Sequence, residues 1–163
     1  IIMSKIIYTQ SNGVISIITP VPGAINPNTG KEYTMQEIAD KDVPAGISTY
    51  SIVDDSKVPT DRTFRNAWVG NSVGVSTATI DEDMTKAKEV HKDNIRLART
   101  PLLTELDVEY QRATESSADT SAIVAKKQAL RDAPAASGIT TAANTTDLKA
   151  QWDTSILGAS PYS

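Results

Sequence analysis

Residues 4–20 read SKIIYTQSNGVISIITP, and this stretch decides how the fold begins. Two apolar, β-branched runs, at residues 5–10 and 14–19, flank the dipeptide Asn12-Gly13. Asn-Gly favours a tight hairpin turn, because both residues tolerate the positive φ angles that the turn requires. The sequence therefore predicts an antiparallel β-hairpin, which the following proline ends because it cannot donate a hydrogen bond to the ladder.

A capping box lies further along the chain. Thr34 and Glu37 have the T-x-x-E spacing, in which the threonine hydroxyl can bond the amide of Glu37 and the glutamate can reach back to the threonine amide. We therefore predict a short helix over residues 35–41.

The rest of the first half favours extended structure. Residues 4–80 are expected to form a small α+β domain, in which a small antiparallel sheet packs with the one short helix. Runs of apolar and β-branched residues predict strands at 49–53 and 63–69 and a weaker strand at 72–80, with a polar loop at 54–62.

From residue 83 the pattern changes to a helical one. Apolar residues recur every three or four positions, which predicts a long amphipathic helix. Pro101 lies inside this pattern and predicts a kink or a pair of consecutive helices. After a polar loop at 114–119, a second helix is expected to run to residue 132 and to complete an α-helical hairpin over residues 83–132. The inward stripe of the first helix is predicted to comprise Met84, Ala87, His91, Ile95, Ala98, Leu102, Leu106, Tyr110 and Ala113.

The last segment, residues 133–163, is expected to hold a linker, a short helix and an extended tail. Residues 134–144 are rich in Ala, Ser, Thr and Gly, which is typical of a linker. The short C-terminal helix is predicted to start near Thr146 and to carry Trp152, and residues 158–163 are predicted to be extended.

Composition argues against several classes of function. The 163 residues carry a net charge of −4 and a pI of about 5.0, unlike a nucleic-acid-binding domain with a basic patch. There is no cysteine and only one histidine, so cysteine-based or histidine-rich metal sites are not expected. No apolar run approaches the roughly 18–20 residues of a membrane span. We therefore expect no cofactor, no nucleic acid and no membrane among the partners.

Paired carboxylates are the only hint of catalysis. Asp40 with Asp42, and Asp54 with Asp55, could serve in glycosidic bond hydrolysis, but no aromatic-lined cleft accompanies them. The acidic run at 81–83 could bind a cation, yet it lacks the ligand spacing of a calcium loop and suits the N-terminus of the following helix. We expect a protein that is not an enzyme.

The large aromatic residues have two possible roles. They can fill the core, since each can bury about 150–250 Å², or they can anchor a partner, since aromatic residues and arginine are enriched at interfaces. For Trp152 the two roles are equally supported. The predicted partner interface comprises Arg62, Phe64, Arg65, Trp68, Leu103, Tyr110 and Trp152.

Two regions resemble a known group of proteins. Residues 38–68 read IADKDVPAGISTYSIVDDSKVPTDRTFRNAW, which is similar to a tract in small proteins of tailed bacteriophages encoded near tail and tail-fibre genes. The segments NIRLARTPLLTELD, IVAKKQALRDAPA and DLKAQWD look like the C-terminal helical part of phage tail and tail-fibre assembly proteins. The residues that carry this second resemblance are Arg96, Arg99, Leu102, Leu103, Asp107, Gln128, Leu130, Arg131, Asp132, Pro134 and Trp152. The chain departs from that pattern where Asp153 follows Trp152 in place of proline.

The resemblance implies a structural protein of a phage particle, associated with the tail, a tail fibre or the capsid, and located in the virion. Its partners would be other phage structural proteins and further copies of itself, since the modest apolar content favours a homo-oligomer. The alternative is a tail-fibre assembly chaperone that is absent from the finished particle. A saccharide-binding or host-directed accessory module is a weaker third reading.

Overall fold

The hairpin at the start of the chain is present in the computed structural model, which describes residues 3–162. Strands β1 (Ser4–Thr9) and β2 (Ile15–Ile18) pair antiparallel with Thr9 opposite Ile15. The turn differs from the prediction, because only Gly13 has a positive φ, at 79°. Its amide donates to the carbonyl of Gln10 at 2.9 Å, so the connection is a type I turn followed by a left-handed glycine.

Two short strands and a helix separate β2 from the next strand of its sheet. Strands β3 (Ile25–Asn26) and β4 (Lys31–Glu32) form a two-residue ladder of their own. The predicted short helix follows as α1 (Met35–Asp42), and both bonds of the capping box are formed. Strand β5 (Tyr50–Asp54) then pairs with β1, which gives a three-stranded antiparallel sheet in the order β2-β1-β5.

The strand predicted at residues 63–69 is wrong in its first half. A 3₁₀ turn, Arg65–Ala67, occupies that part, and β6 (Trp68–Asn71) begins only at the tryptophan. The Asp61 carboxylate accepts the amide of Thr63 at 3.0 Å, and this local bond favours a turn over a ladder. The strand predicted at 72–80 is wrong except at its end, where β7 (Thr79–Glu82) pairs with β6 in a separate two-stranded sheet. Within residues 3–162, three small sheets thus replace the single sheet that was expected.

Two apolar clusters cover opposite faces of β1. One face carries Ile6, which packs with Ile38 and Ala39 of α1. The opposite face carries Ile7, which packs with the second cluster. Alternation along the strand explains the division, since successive side chains point to opposite sides of a sheet. The second cluster comprises Ile7, Ile15, Val53, Trp68, Ala78 and Ile80.

A single long helix, α2 (Met84–Glu115), follows. It runs without interruption across Pro101, so of the two predicted alternatives the pair of consecutive helices is wrong, and the kink stays a prediction. Helix α3 (Ser121–Asp132) returns antiparallel to α2. The side chain of Arg99 shows the pairing, because its Nη1 donates to the carbonyls of Leu130 and Arg131 at 3.2 and 2.8 Å.

The segment predicted as a linker is folded instead. A 3₁₀ turn (Ala133–Ala135) leads into α4 (Ser137–Thr141), α5 (Thr145–Lys149) and α6 (Thr154–Leu157). Ile139 and Ala142 are buried, and this burial overrides the loop-like composition. Residues 158–162 are not helical, and Ser163, the end of the predicted extended tail, lies outside the described residues.

The fold class is α+β, as predicted: small antiparallel sheets with one short helix, then a helical hairpin and short C-terminal helices. The chain divides into two compact units, Ile1–Asp83 and Met84–Ser163, called the N-terminal and C-terminal units below.

Candidate interaction surfaces

The aromatic residues predicted as anchors in the N-terminal unit lie inside it. Phe64 and Trp68 are each only 1% exposed, and Trp68 packs in the cluster around Ile7. Arg62 and Arg65 are exposed, and the Arg62 guanidinium lies 5.7 Å from the centroid of the Trp68 ring. The two rings therefore fill the core, and of these four residues only the arginines remain open to a partner.

The residues predicted in the C-terminal unit differ in exposure. Tyr110 is 38% exposed, and the Lys127 ammonium lies 5.2 Å from the centroid of its ring. Lys127 also pairs with Asp107, so it holds α3 against α2 on this side. Leu103 is half-buried on α2. Trp152 was predicted to lie in the short C-terminal helix, but it lies between α5 and α6. Its side chain is 8% exposed and belongs to the core of the unit.

Trp152 belongs to an aromatic cluster that the sequence did not reveal. His91, which is fully buried, stacks on Tyr162 with ring centroids 5.5 Å apart. Trp152 meets both rings edge-on, and its Nε1 donates to the carbonyl of Gly158 at 3.1 Å. These contacts fasten the C-terminal tail onto α2. The tail was predicted only as extended, and a tyrosine near its end carried no periodic signal.

The hydrogen bonds of this cluster are unequal. Nδ1 of His91 lies 2.7 Å from the hydroxyl of Tyr162, which also accepts from Asn94 at 3.3 Å. Nε2 of His91 is buried and has no hydrogen-bond partner among residues 3–162. Burial lowers the pKa of His91, because the charged imidazolium is poorly solvated there. Burial also raises the pKa of Tyr162, against the opposing effect of the Asn94 bond.

The carboxylates considered for catalysis have structural partners. Asp40 accepts from Gln36, and Asp42 pairs with Lys41 at 2.7 Å. Asp54 caps a 3₁₀ turn by accepting the Ser56 amide, and its pKa is lowered by hydrogen bonds from the side chain and the amide of Ser56.

The acidic run before α2 takes part in local hydrogen bonds. Asp81 accepts from Asn71 at 2.9 Å and from Thr79 at 3.1 Å. Within residues 3–162, no cluster of three or more histidine and acidic side chains is arranged to hold a metal ion. In the same part of the chain, no helix combines the length and the hydropathy needed to cross a membrane.

An apolar groove opens between α2, α3 and α6, with a volume of about 280 Å³. Leu106 and Leu130, which are 8% and 3% exposed, lie deepest in it. The other apolar lining is half-exposed and comprises Leu102, Ala129 and Ile156. The sequence predicted Leu102, Leu106 and Leu130 as inward residues, but periodicity alone does not show that a space remains beside them.

Charged side chains line the two lips of this groove. Glu105 and Glu109, one turn apart, lie on the α2 lip, and Lys126 lies on the α3 lip. All three are exposed, and across the described chain none of them forms an ion pair or a side-chain hydrogen bond. The opposite charges stay apart across the groove, whereas Lys127 of α3 and Asp107 of α2 form an ion pair between the two helices.

Comparisons with protein-family models, curated proteins and solved structures give no match to this chain.

Proposed function

We propose that this chain is a non-enzymatic structural protein of a tailed bacteriophage, located in the virion and associated with the tail, a tail fibre or the capsid. The observation that carries the proposal is the resemblance of residues 38–68, and of the helical segment from Asn94 to Trp152, to phage tail-associated proteins. The function would be binding through protein–protein interfaces.

The residues behind the resemblance have roles in the framework of both units. Phe64 and Trp68, from the first region, are core residues of the N-terminal unit. Arg99, from the second region, donates to the last carbonyls of α3, where a cation is favourable against the helix dipole. Leu130 is buried beside it. These roles support a common fold as the basis of the resemblance.

Exposed apolar side chains support a role in assembly. Leu97 on α2 is 76% exposed, and Val108 on the same helix is 42% exposed. Together with the open groove they provide surface that a neighbouring subunit could cover, and homo-oligomers with closed symmetry are the commonest assemblies. The proposed partners are other phage structural proteins and further copies of this chain, with no cofactor, nucleic acid or membrane.

A second candidate is a tail-fibre assembly chaperone that leaves before the particle is complete. The groove of the helical hairpin favours it, because such a groove can cover an apolar segment of a client during assembly.

Mass spectrometry of purified particles of the phage that encodes the chain separates the two. We expect the chain at a fixed ratio to known tail or capsid proteins. Its absence from particles, together with its recovery in a complex with a fibre protein from infected cells, would overturn the structural role and favour the chaperone. Light scattering of the purified chain tests self-association. The proposal expects a mass of at least two copies of the 17.4 kDa chain, and the mass of a single chain would contradict self-association.

A further inference from the structure

The two halves of α2 are covered unequally. The first half is covered by the C-terminal segments: Lys88 donates to the carbonyl of Thr140 at 2.7 Å, and His91 bonds Tyr162. The second half, after Pro101, packs against α3, and α6 contributes Ser155 and Ile156 to the lining of the groove. Two antiparallel helices leave a long furrow on each side, and a bundle is completed when further helices fill it.

The groove therefore offers a position that a further helix of a bundle could occupy. We infer that it binds an amphipathic α-helix of another protein chain, one with an apolar stripe flanked by basic residues on one edge and acidic residues on the other. This inference rests on the proposed binding function and names the chemistry of the partner.

The floor of the groove is apolar and would contact the apolar stripe of the partner helix. Leu106 and Leu130 lie almost out of solvent, and the half-exposed Leu102, Ala129 and Ile156 form walls that a leucine or isoleucine side chain could contact. Such a groove recognises side chains at positions i, i+3/i+4 and i+7 of a helix. Burying this lining against a partner would remove apolar surface from water and so favour binding.

The charged residues on the two lips of the groove would face the charged edges of the partner helix. A basic edge on the partner would face Glu105 and Glu109, and an acidic edge would face Lys126. None of the three has an ion-pair partner within residues 3–162, so binding would not break an existing pair on this chain. Rim charges of this kind select a partner more than they add affinity.

Two synthetic helical peptides test the inference on the full chain. Both are about 16 residues long, which spans about 24 Å, and both carry a leucine stripe. One has lysines on one edge and glutamates on the other, and the second has glutamates on both edges. By fluorescence anisotropy we expect the first to bind at least about tenfold more tightly, which corresponds to about 1.4 kcal/mol.

Substitutions in the chain locate the binding. Glu109→Gln should reduce the preference for the first peptide, whereas Glu115→Gln, on the same helix but outside the groove, should leave it unchanged. Ala129→Trp should fill the groove and weaken binding at least about tenfold. Its control is Val124→Trp, since Val124 is 47% exposed and lies about 200° round α3 from Lys126. Circular dichroism checks that each variant retains its helices.

The inference is overturned if neither peptide binds below about 100 µM, if both bind equally, or if Ala129→Trp and Val124→Trp behave alike while both remain folded. These results are independent of the particle experiment. Binding at the groove with no chain in the virion would leave the groove assigned and overturn only the structural role.

Discussion

Among single residues, His91 combines full burial with only one bonded ring nitrogen. A neutral imidazole tolerates this environment better than an imidazolium, because the charged form carries an N–H donor on both nitrogens and each donor needs an acceptor. The residues that surround it in the cluster, Trp152, Tyr162 and Asn94, carry no charge at neutral pH. The histidine is thus suited to hold the tail while neutral.

This arrangement makes stability depend on pH. Because the folded pKa of His91 lies below its ordinary value of about 6.5, the unfolded chain binds more protons between the two pKa values. The contribution to stability is complete above the ordinary pKa and is lost as the pH falls through the lowered one. Urea unfolding should show the free energy of unfolding falling more steeply below about pH 6.5 in the native chain than in a His91→Gln variant.

The variant also controls for the carboxylates. Asp153 and Asp119 have lowered pKa values, because each accepts bonds from a nearby serine, and their protonation also destabilises the chain at more acidic pH. That effect is common to both proteins. Parallel curves for the native chain and His91→Gln would contradict the assigned role of the histidine.

At Gly70 there is no room for a larger side chain. A Cβ atom there would lie 2.5 Å from Cγ2 of Val73 and 2.8 Å from Cδ1 of Ile15, closer than carbon atoms approach in proteins. We expect Gly70→Ala to lower the free energy of unfolding by about 1–3 kcal/mol, as other overpacked cores do. Val75→Ala, at a site 52% exposed, is the control and should stay within about 0.5 kcal/mol. An unchanged stability for Gly70→Ala would contradict this prediction and would show that the side chains of Val73 and Ile15 can move aside.

Among the elements, the starts of α1 and α3 offer a matched pair. Thr34 caps α1 and accepts the amide of Glu37, whereas Thr120 holds the same position before α3 with no side-chain capping bond. Bonds from Thr34 also lower the pKa of Glu37. Thr34→Ala should cost about 1 kcal/mol, and Thr120→Ala much less. Thermal or urea unfolding measures both, and similar losses would argue against the capping bond as the cause.

The elements that the sequence predicted well are those with local chemistry. The capping box gave the start of α1, and the turn around Gly13 gave the first hairpin, although the turn type was wrong. Both depend on residues a few positions apart. The sequence also predicted the hairpin of α2 and α3 from apolar spacing, because the stripe on each helix is regular.

The errors lie where distant contacts decide the structure. Residues 134–144 look like a linker, yet Ile139 and Ala142 are buried within the C-terminal unit. The role of Tyr162 depends on His91, 71 positions earlier. The groove could not be predicted either, because it results from what the helices leave uncovered.

For the whole molecule, each unit contains its own core and its own tryptophan. Trp68 is buried in the N-terminal unit and Trp152 in the C-terminal unit, so variants with one tryptophan report on one unit each. We expect Ile7→Ala to lower the stability reported by Trp68 by about 2–5 kcal/mol and to leave the Trp152 signal unchanged. Ile139→Ala should do the reverse, since both isoleucines are fully buried.

Fluorescence of a Trp152→Phe chain and of a Trp68→Phe chain during urea unfolding makes the comparison. Equal shifts of both signals on either substitution would mean that the units unfold as one cooperative body.

Pro101 has a consequence for the motions of α2. Proline has no amide hydrogen, so the carbonyl of Leu97 loses its usual donor and the ladder of the helix is missing one rung. The C-terminal tail stabilises the helix hydrogen bonds before the missing bond, and α3 stabilises those after it. The two halves of α2, before and after the proline, would then exchange their amide hydrogens independently. Either half could open to solvent while the other stays protected. Although α2 is a single continuous helix, the hydrogen bonds of its two halves would have different lifetimes.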